Sequence, residues 1–191
     1  MFPTYFQLGF EHITDINGYD HILFLIALCA AYRYTDWKQI LILVTAFTVG
    51  HSITLALAVL NIISVNAAWI EFLIPLTILI TAIKNIAFQQ QNTQFALATK
   101  GTYALALGFG LIHGMGFSNF LRSLLGDELT FPLFAFNVGL EIGQLIIVSL
   151  IFGLQAAIMQ FTSVKLKLWN IGFSTLAAGV SVLLMAERIP F

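Results

Sequence analysis

Six apolar stretches follow one another along this chain, near residues 19–34, 38–61, 68–88, 101–125, 131–158 and 167–187, with only brief polar connections between them. A bilayer core about 30 Å thick takes roughly 20 helical residues to cross. In lipid every backbone polar group must be satisfied within the protein, which selects helices. The expected fold is therefore all-α: a polytopic membrane bundle of about six transmembrane helices, one transmembrane domain over residues 1–191. Composition agrees, since 59% of the residues are hydrophobic and 9% charged, against the ~25% charged that soluble domains carry. A formal net charge of −1 offers no field for nucleic acid, so membrane lipids are the expected surroundings. The single cysteine, Cys29, excludes a disulfide framework or a Cys-based zinc site within one chain.

Details of the spans follow from local chemistry. Phe10 to Gly18 reads as a partly polar segment entering the membrane ahead of the first span. Pro132 suits the first turn of the fifth, whereas Pro75 is expected to kink the third or loosen its hydrogen bonding. Gln89 to Gln94 reads as a solvated turn. Met1 to Glu11 lack the basic run and cleavage site of a secretory signal, so the helices are expected to direct their own insertion. Lys and Arg are retained on the cytoplasmic side during insertion. Arg33, Lys38, Lys84, Lys100, Lys165 and Lys167 flank loops on one side and Arg122 and Arg188 lie on the other, which predicts both termini outside.

The polar residues inside these spans carry the chemistry. All four histidines, His12, His21, His51 and His113, fall in or beside spans, where a titratable ring is costly without a partner. His12, Asp15, Asp20 and His21 crowd the start of the first span. Imidazole with carboxylate suits divalent zinc, nickel, cobalt, iron or copper; the alternative is helix capping by Asp15 or Asn17, with Asp20 at the positive helix end. In the second span Thr48, His51 and Thr54 share one helical stripe, which points His51 into the bundle, with Ser52 beside it. In the fourth, His113 stands among Gly108, Gly110, Gly114 and Gly116, which permit either close helix packing or a local break. In the fifth, Asn137, Glu141 and Gln144 share a face, and Gly139 and Gly143 form a small-xxx-small pair nearly opposite. Glu141, near mid-membrane, is expected to act with His113 and Asn137 as a relay, or else to be a protonated acid bonded to Asn137 or to another helix. Glu71 is either a partner for a histidine or a solvated acid at a helix start. Ligand-type residues on four spans, between the outer surface and mid-membrane, fit several weak sites in series along a permeation route.

At these residues the sequence resembles the HupE/UreJ family of small membrane proteins, regarded as nickel or cobalt permeases and often found with hydrogenase or urease accessory genes. The resemblance is carried by His12 through Asp20-His21-Ile-Leu-Phe, Phe47-Thr-Val-Gly-His51-Ser52, His113-Gly114-Met-Gly116-Phe117 and Phe136-Asn137-Val-Gly139-Leu-Glu141-Ile-Gly-Gln144. The Gly50-His51-Ser52 element and the His/Asp cluster are also similar to signature segments of larger nickel/cobalt transporters. That likeness implies His12, Asp15, Asp20, His21 and His51 as ligands of a nickel, cobalt or zinc ion. The spacing from His12 to His21 is longer than the compact motif of those transporters. The resemblance further implies a multi-pass protein of the bacterial inner membrane that transports a divalent ion, with metalloenzyme-maturation partners or a homo-oligomer as associations.

Two other classes stand beside transport. One is an intramembrane zinc-dependent hydrolase, with Glu141 or Glu71 activating water and Ser52 in the site, although no His-Glu-x-x-His motif is present. It requires one compact cluster at one depth, whereas transport predicts polar residues on both sides of the midplane. The other is a structural or accessory subunit whose histidines merely join helices.

Overall fold

The computed structural model describes residues 2–16, 18–90, 100–117, 121 and 130–190, the side chains of 88–90 and 100 excepted. Among these residues it is all-helical: α1 (Phe2–Thr14), α2 (Asp20–Ala30), α3 (Trp37–Val59), α4 (Ala67–Gln90), α5 (Lys100–Gly116), α6 (Thr130–Phe161) and α7 (Leu166–Glu187). Four segments are long and apolar enough to cross a bilayer: Tyr34–Val59, Ala67–Ala87, Thr130–Phe161 and Leu166–Glu187. The Gln91 to Gln94 part of the solvated turn, Asn17 and Arg122 lie outside the described residues.

The first expected span is divided. At 1.5 Å per residue α2 rises only about 16 Å, too little to cross alone. It follows α1, so Phe10 to Thr14 of the partly polar entry segment form the end of a helix that starts at Phe2. Tyr19 occupies the N-cap of α2 and makes no side-chain cap, so Asp15 does not cap this helix. Nine of its residues, from Asp20 and His21 to Ala30, are buried on all sides, because α2 is wedged among α1, α4, α6 and α7. A helix apolar all round belongs in such a position.

Three helix pairs pack most extensively, α3 with α5, α1 with α6, and α4 with α7. Glycines make the first two. A Cβ on Gly50 would collide with the Leu107 carbonyl, one on Gly110 with the Phe47 carbonyl, and one on Gly114 with the His51 carbonyl. Phe47 and His51 thus meet Gly110 and Gly114 in the same order, and α3 and α5 run the same way. Likewise Gly9 meets the Phe136 carbonyl, Gly139 the Phe6 carbonyl and Gly143 the Ile13 side chain, which sets α1 parallel to the first half of α6. Packing therefore accounts for Gly110 and Gly114 and for the Gly139/Gly143 pair. Gly108 has nothing within 4 Å, and α5 is unbroken through Gly116. Helix α4 likewise continues through Pro75.

Buried amides tie the other end of the bundle. Asn85 Nδ2 donates to the Ala27 carbonyl at 2.7 Å and to Ser174 Oγ at 3.3 Å, joining α4, α2 and α7. Gln155 of α6 donates to the Tyr32 carbonyl at 2.9 Å and accepts from the Tyr34 amide at 2.8 Å, clamping the link between α2 and α3.

A candidate metal centre between helices

The packing just described carries the histidines with it. His12 rides on α1, which is held to α6; His51 and His113 ride on α3 and α5, which are held to each other; His21 opens α2 between them. His12, His21 and His51 each offer a ring nitrogen, and the three atoms lie within 4.8 Å of one another. Ring centroids are 4.7 Å apart for His12 and His21, 5.9 Å for His12 and His51, and 6.3 Å for His21 and His51. His113 stands at the edge of this group, its ring 5.2 Å from that of His21. Phe117 and Phe136 flank His12 with centroids at 4.0 and 5.7 Å, giving the cluster apolar walls.

Of nine buried side-chain nitrogen and oxygen atoms without a hydrogen-bond partner among the described residues, five belong to these four histidines. Neither nitrogen of His51, whose exposure is 0%, has a partner, and the same holds for Nε2 of His12, Nε2 of His21 and Nδ1 of His113. Each orphaned buried polar group costs about 1–3 kcal/mol, so several in one place mark a position built for something that supplies bonds. Tautomers are also set locally. Thr77 Oγ1 gives its proton to the Ile74 carbonyl at 2.7 Å, so at 3.1 Å it accepts from His113 Nε2, which leaves a lone pair on the unpartnered Nδ1. The Gly18 backbone hydrogen-bonds the His21 ring; with Nε2 unpartnered, Nδ1 takes that bond and Nε2 is left to face the cluster. Fixing one imidazole nitrogen by a backbone group is the usual support of a metal-ligating histidine.

The cluster has an approach. An open cleft of about 610 Å³, lined by Leu8, Glu11, His12, Thr14, Asp15, Ile16 and Phe117, reaches His12 from the surface. Asp15 stands in this cleft and not among the three clustered ligand atoms. Asp20 lies beside the cluster, Oδ1 3.9 Å from His21 Nδ1, but its Oδ2 accepts from Arg188 Nη1 at 2.8 Å. Glu71 is exposed. Ser52 donates to the Thr48 carbonyl at 2.7 Å. Glu141 accepts from Thr45 Oγ1 at 2.7 Å and Gln144 from Thr48 Oγ1 at 2.7 Å, so this face of α6 meets α3; Asn137 donates to the Leu133 carbonyl within its own helix. The bonds of Glu141 therefore run to Thr45, and neither His113 nor Asn137 is its partner.

Three contributors were missed from sequence: Thr77, Thr45 and Arg188. Thr77 begins a series with Thr81 and Asn85 at four-residue intervals on α4, all buried, and that spacing was the available signal. Thr45 lies one turn before Thr48 on α3. Arg188 served only to count basic residues, and nothing local pointed to Asp20.

A bundle of long apolar helices enclosing unpartnered imidazoles, reached by a surface cleft, defines a membrane protein with an interhelical histidine centre. The chain matches the family model described as HupE / UreJ protein over residues 1–188, and it belongs to that family. No curated protein and no solved structure gave a match.

Proposed function

We propose that this chain carries a divalent transition metal ion of the nickel or cobalt class across the bacterial inner membrane, admitting it from the periplasmic side to His12, His21 and His51. The observation that carries the reading is the triad: three imidazoles from three helices, ligand atoms within 4.8 Å, nitrogens unpartnered, with His12 also lining a surface cleft and buried Thr77, Thr81 and Asn85 continuing the polar residues along α4 beyond His113. Family membership supports it, because HupE/UreJ proteins are generally associated with nickel and cobalt transport. Neutral imidazoles bind such ions well, yet they leave the charge of a dication uncompensated. A site of that kind admits an ion without trapping it, which conduction requires. His113 is the next station, its Nδ1 free and its Nε2 held by Thr77. Glu141, held by Thr45, is the carboxylate we assign to proton exchange against the ion.

The test is metal analysis of the detergent-purified protein, followed by Ni²⁺ and Co²⁺ uptake into proteoliposomes. Bound metal and uptake, both lost in His51→Ala, are expected; wild-type protein that neither binds nor moves metal refutes the proposal. Three ligands with an open fourth position also make up a catalytic zinc site, and one compact cluster is what a hydrolase requires. A hydrolase is therefore the second reading, with Glu11, which lines the cleft together with His12, a candidate base beside Glu141 and Ser52. Hydrolysis of a lipid or peptide substrate without flux would transfer the assignment to it.

A further inference from the structure

Asp20 opens α2, and Arg188 immediately follows α7; their ion pair closes a contact between residues at opposite ends of the sequence. The Asp20 side chain is 11% exposed and that of Arg188 27%, so a mostly buried carboxylate is neutralised by a cation that still reaches solvent. The other carboxylate oxygen lies 3.9 Å from His21 Nδ1, beside the triad. We propose that Arg188 is a built-in competitor for the entering ion: its guanidinium holds the cation position on Asp20, and a divalent ion at the triad, on the other side of the His21 ring, competes for the charge of that carboxylate and displaces the guanidinium.

This inference rests on the triad receiving a divalent ion. Three imidazoles bring no charge, so Asp20 is the nearest group able to compensate a dication, and His21 is its neighbour in the chain. A guanidinium cannot relieve repulsion by losing its proton. Movement is the remaining response, and its partial exposure lets water replace the carboxylate. Competition lowers the affinity of the site, which favours release. The sign of one substitution separates this from a tether. If the pair only fastens α2 to α7, removing Arg188 loosens the ligand set and weakens binding; if Arg188 competes, removing it tightens binding.

Ni²⁺ titration calorimetry on the full chain in nanodiscs decides the matter. Arg188→Gln is expected to bind Ni²⁺ roughly tenfold more tightly than wild type, the equivalent of about 1.4 kcal/mol. Arg188→Lys keeps the charge but holds a carboxylate at one point and hydrates more strongly, so it folds as wild type does and tightens binding by a smaller factor. Asp20→Asn weakens binding, and adding Arg188→Gln to it recovers little. Binding by the two Arg188 variants that is equal to or weaker than wild type overturns the inference. If wild type binds no Ni²⁺, the triad reading fails and takes this one with it; if wild type binds and neither variant tightens, this one fails alone.

Discussion

Replacing His51 by leucine should move stability and binding in opposite directions. Both His51 nitrogens are buried without partners. At about 1–3 kcal/mol for each orphaned group, the ring carries a penalty of several kcal/mol. Leucine fills a comparable volume with no polar atoms, and imperfect shape returns up to about 1.5 kcal/mol of that gain. A membrane-embedded unfolded chain also leaves some polar groups unpaired, which discounts the difference further. The net expectation is a metal-free His51→Leu protein more stable than wild type by about 1–3 kcal/mol. Metal should then stabilise only the wild type: an ion at a hundredfold excess over Kd adds about 2.7 kcal/mol to a protein that binds it when folded. Thermal unfolding in nanodiscs, with and without Ni²⁺, reads both quantities. A His51→Leu protein that is less stable than wild type without metal, yet keeps the metal-induced rise in Tm, refutes the assignment of His51 as a ligand.

The remaining predictions test other links. A metal-ligating imidazole must be neutral and protons compete for its ring nitrogen, so Ni²⁺ affinity should fall on acidification and recover when the pH is restored; calorimetry at a series of pH values measures the slope. Gly110→Ala drives a methyl into the Phe47 carbonyl and should destabilise by roughly 1–3 kcal/mol or more, whereas Gly108→Ala, with nothing within 4 Å, should be neutral or slightly stabilising; Tm values compare them. Glu141→Gln is expected to retain external metal binding and lose proteoliposome uptake, and equal uptake by both proteins removes the proton-exchange role. The distribution of Lys and Arg predicts both termini outside, in which case a cysteine placed at Gln91 should resist an impermeant thiol reagent in intact spheroplasts and react after lysis.

Much of the bundle was legible because apolar length and polar interruption are local properties. The spans expected near 38–61, 68–88, 131–158 and 167–187 correspond to α3, α4, α6 and α7 within a few residues. The stripe of Thr48, His51 and Thr54 also held: all three are buried, since helical period alone decides which residues share a face. Period does not decide which neighbour that face meets. The position of Glu141 on its helix leaves open a relay with His113 and Asn137 or a bond to another helix, and its hydrogen bond goes to Thr45 on α3, which nothing on its own helix identifies. The division of the first span was hidden for a related reason. Helix α1 is stabilised by Gly9 and Gly139 meeting across two helices, and the sequence around Phe2 to Thr14 shows only a short, partly polar run. Asp20 looked like a helix-start acid because its partner lies at the far end of the chain.

The placement of the glycines explains how unpartnered imidazoles remain available to a ligand. Gly50 precedes His51 and Gly114 follows His113, and each is a point where the backbones of α3 and α5 touch. Gly143 receives Ile13, the residue after His12. Two ligand-type rings are thus positioned by backbone against backbone, with no flexible side chain between, and a third sits next to such a contact. Sites carried on rigid elements hold their geometry more closely than sites carried on loops. Rigidity also prevents the remedy open to a softer core, in which helices shift until each nitrogen finds a carbonyl. Helices held this closely keep the rings away from neighbouring carbonyls, which suits the ligand role proposed for them. A methyl at Gly110 or Gly114 should therefore weaken Ni²⁺ binding through displaced histidines even though every ligand is intact, and an affinity that survives such a shift would place the ligands elsewhere.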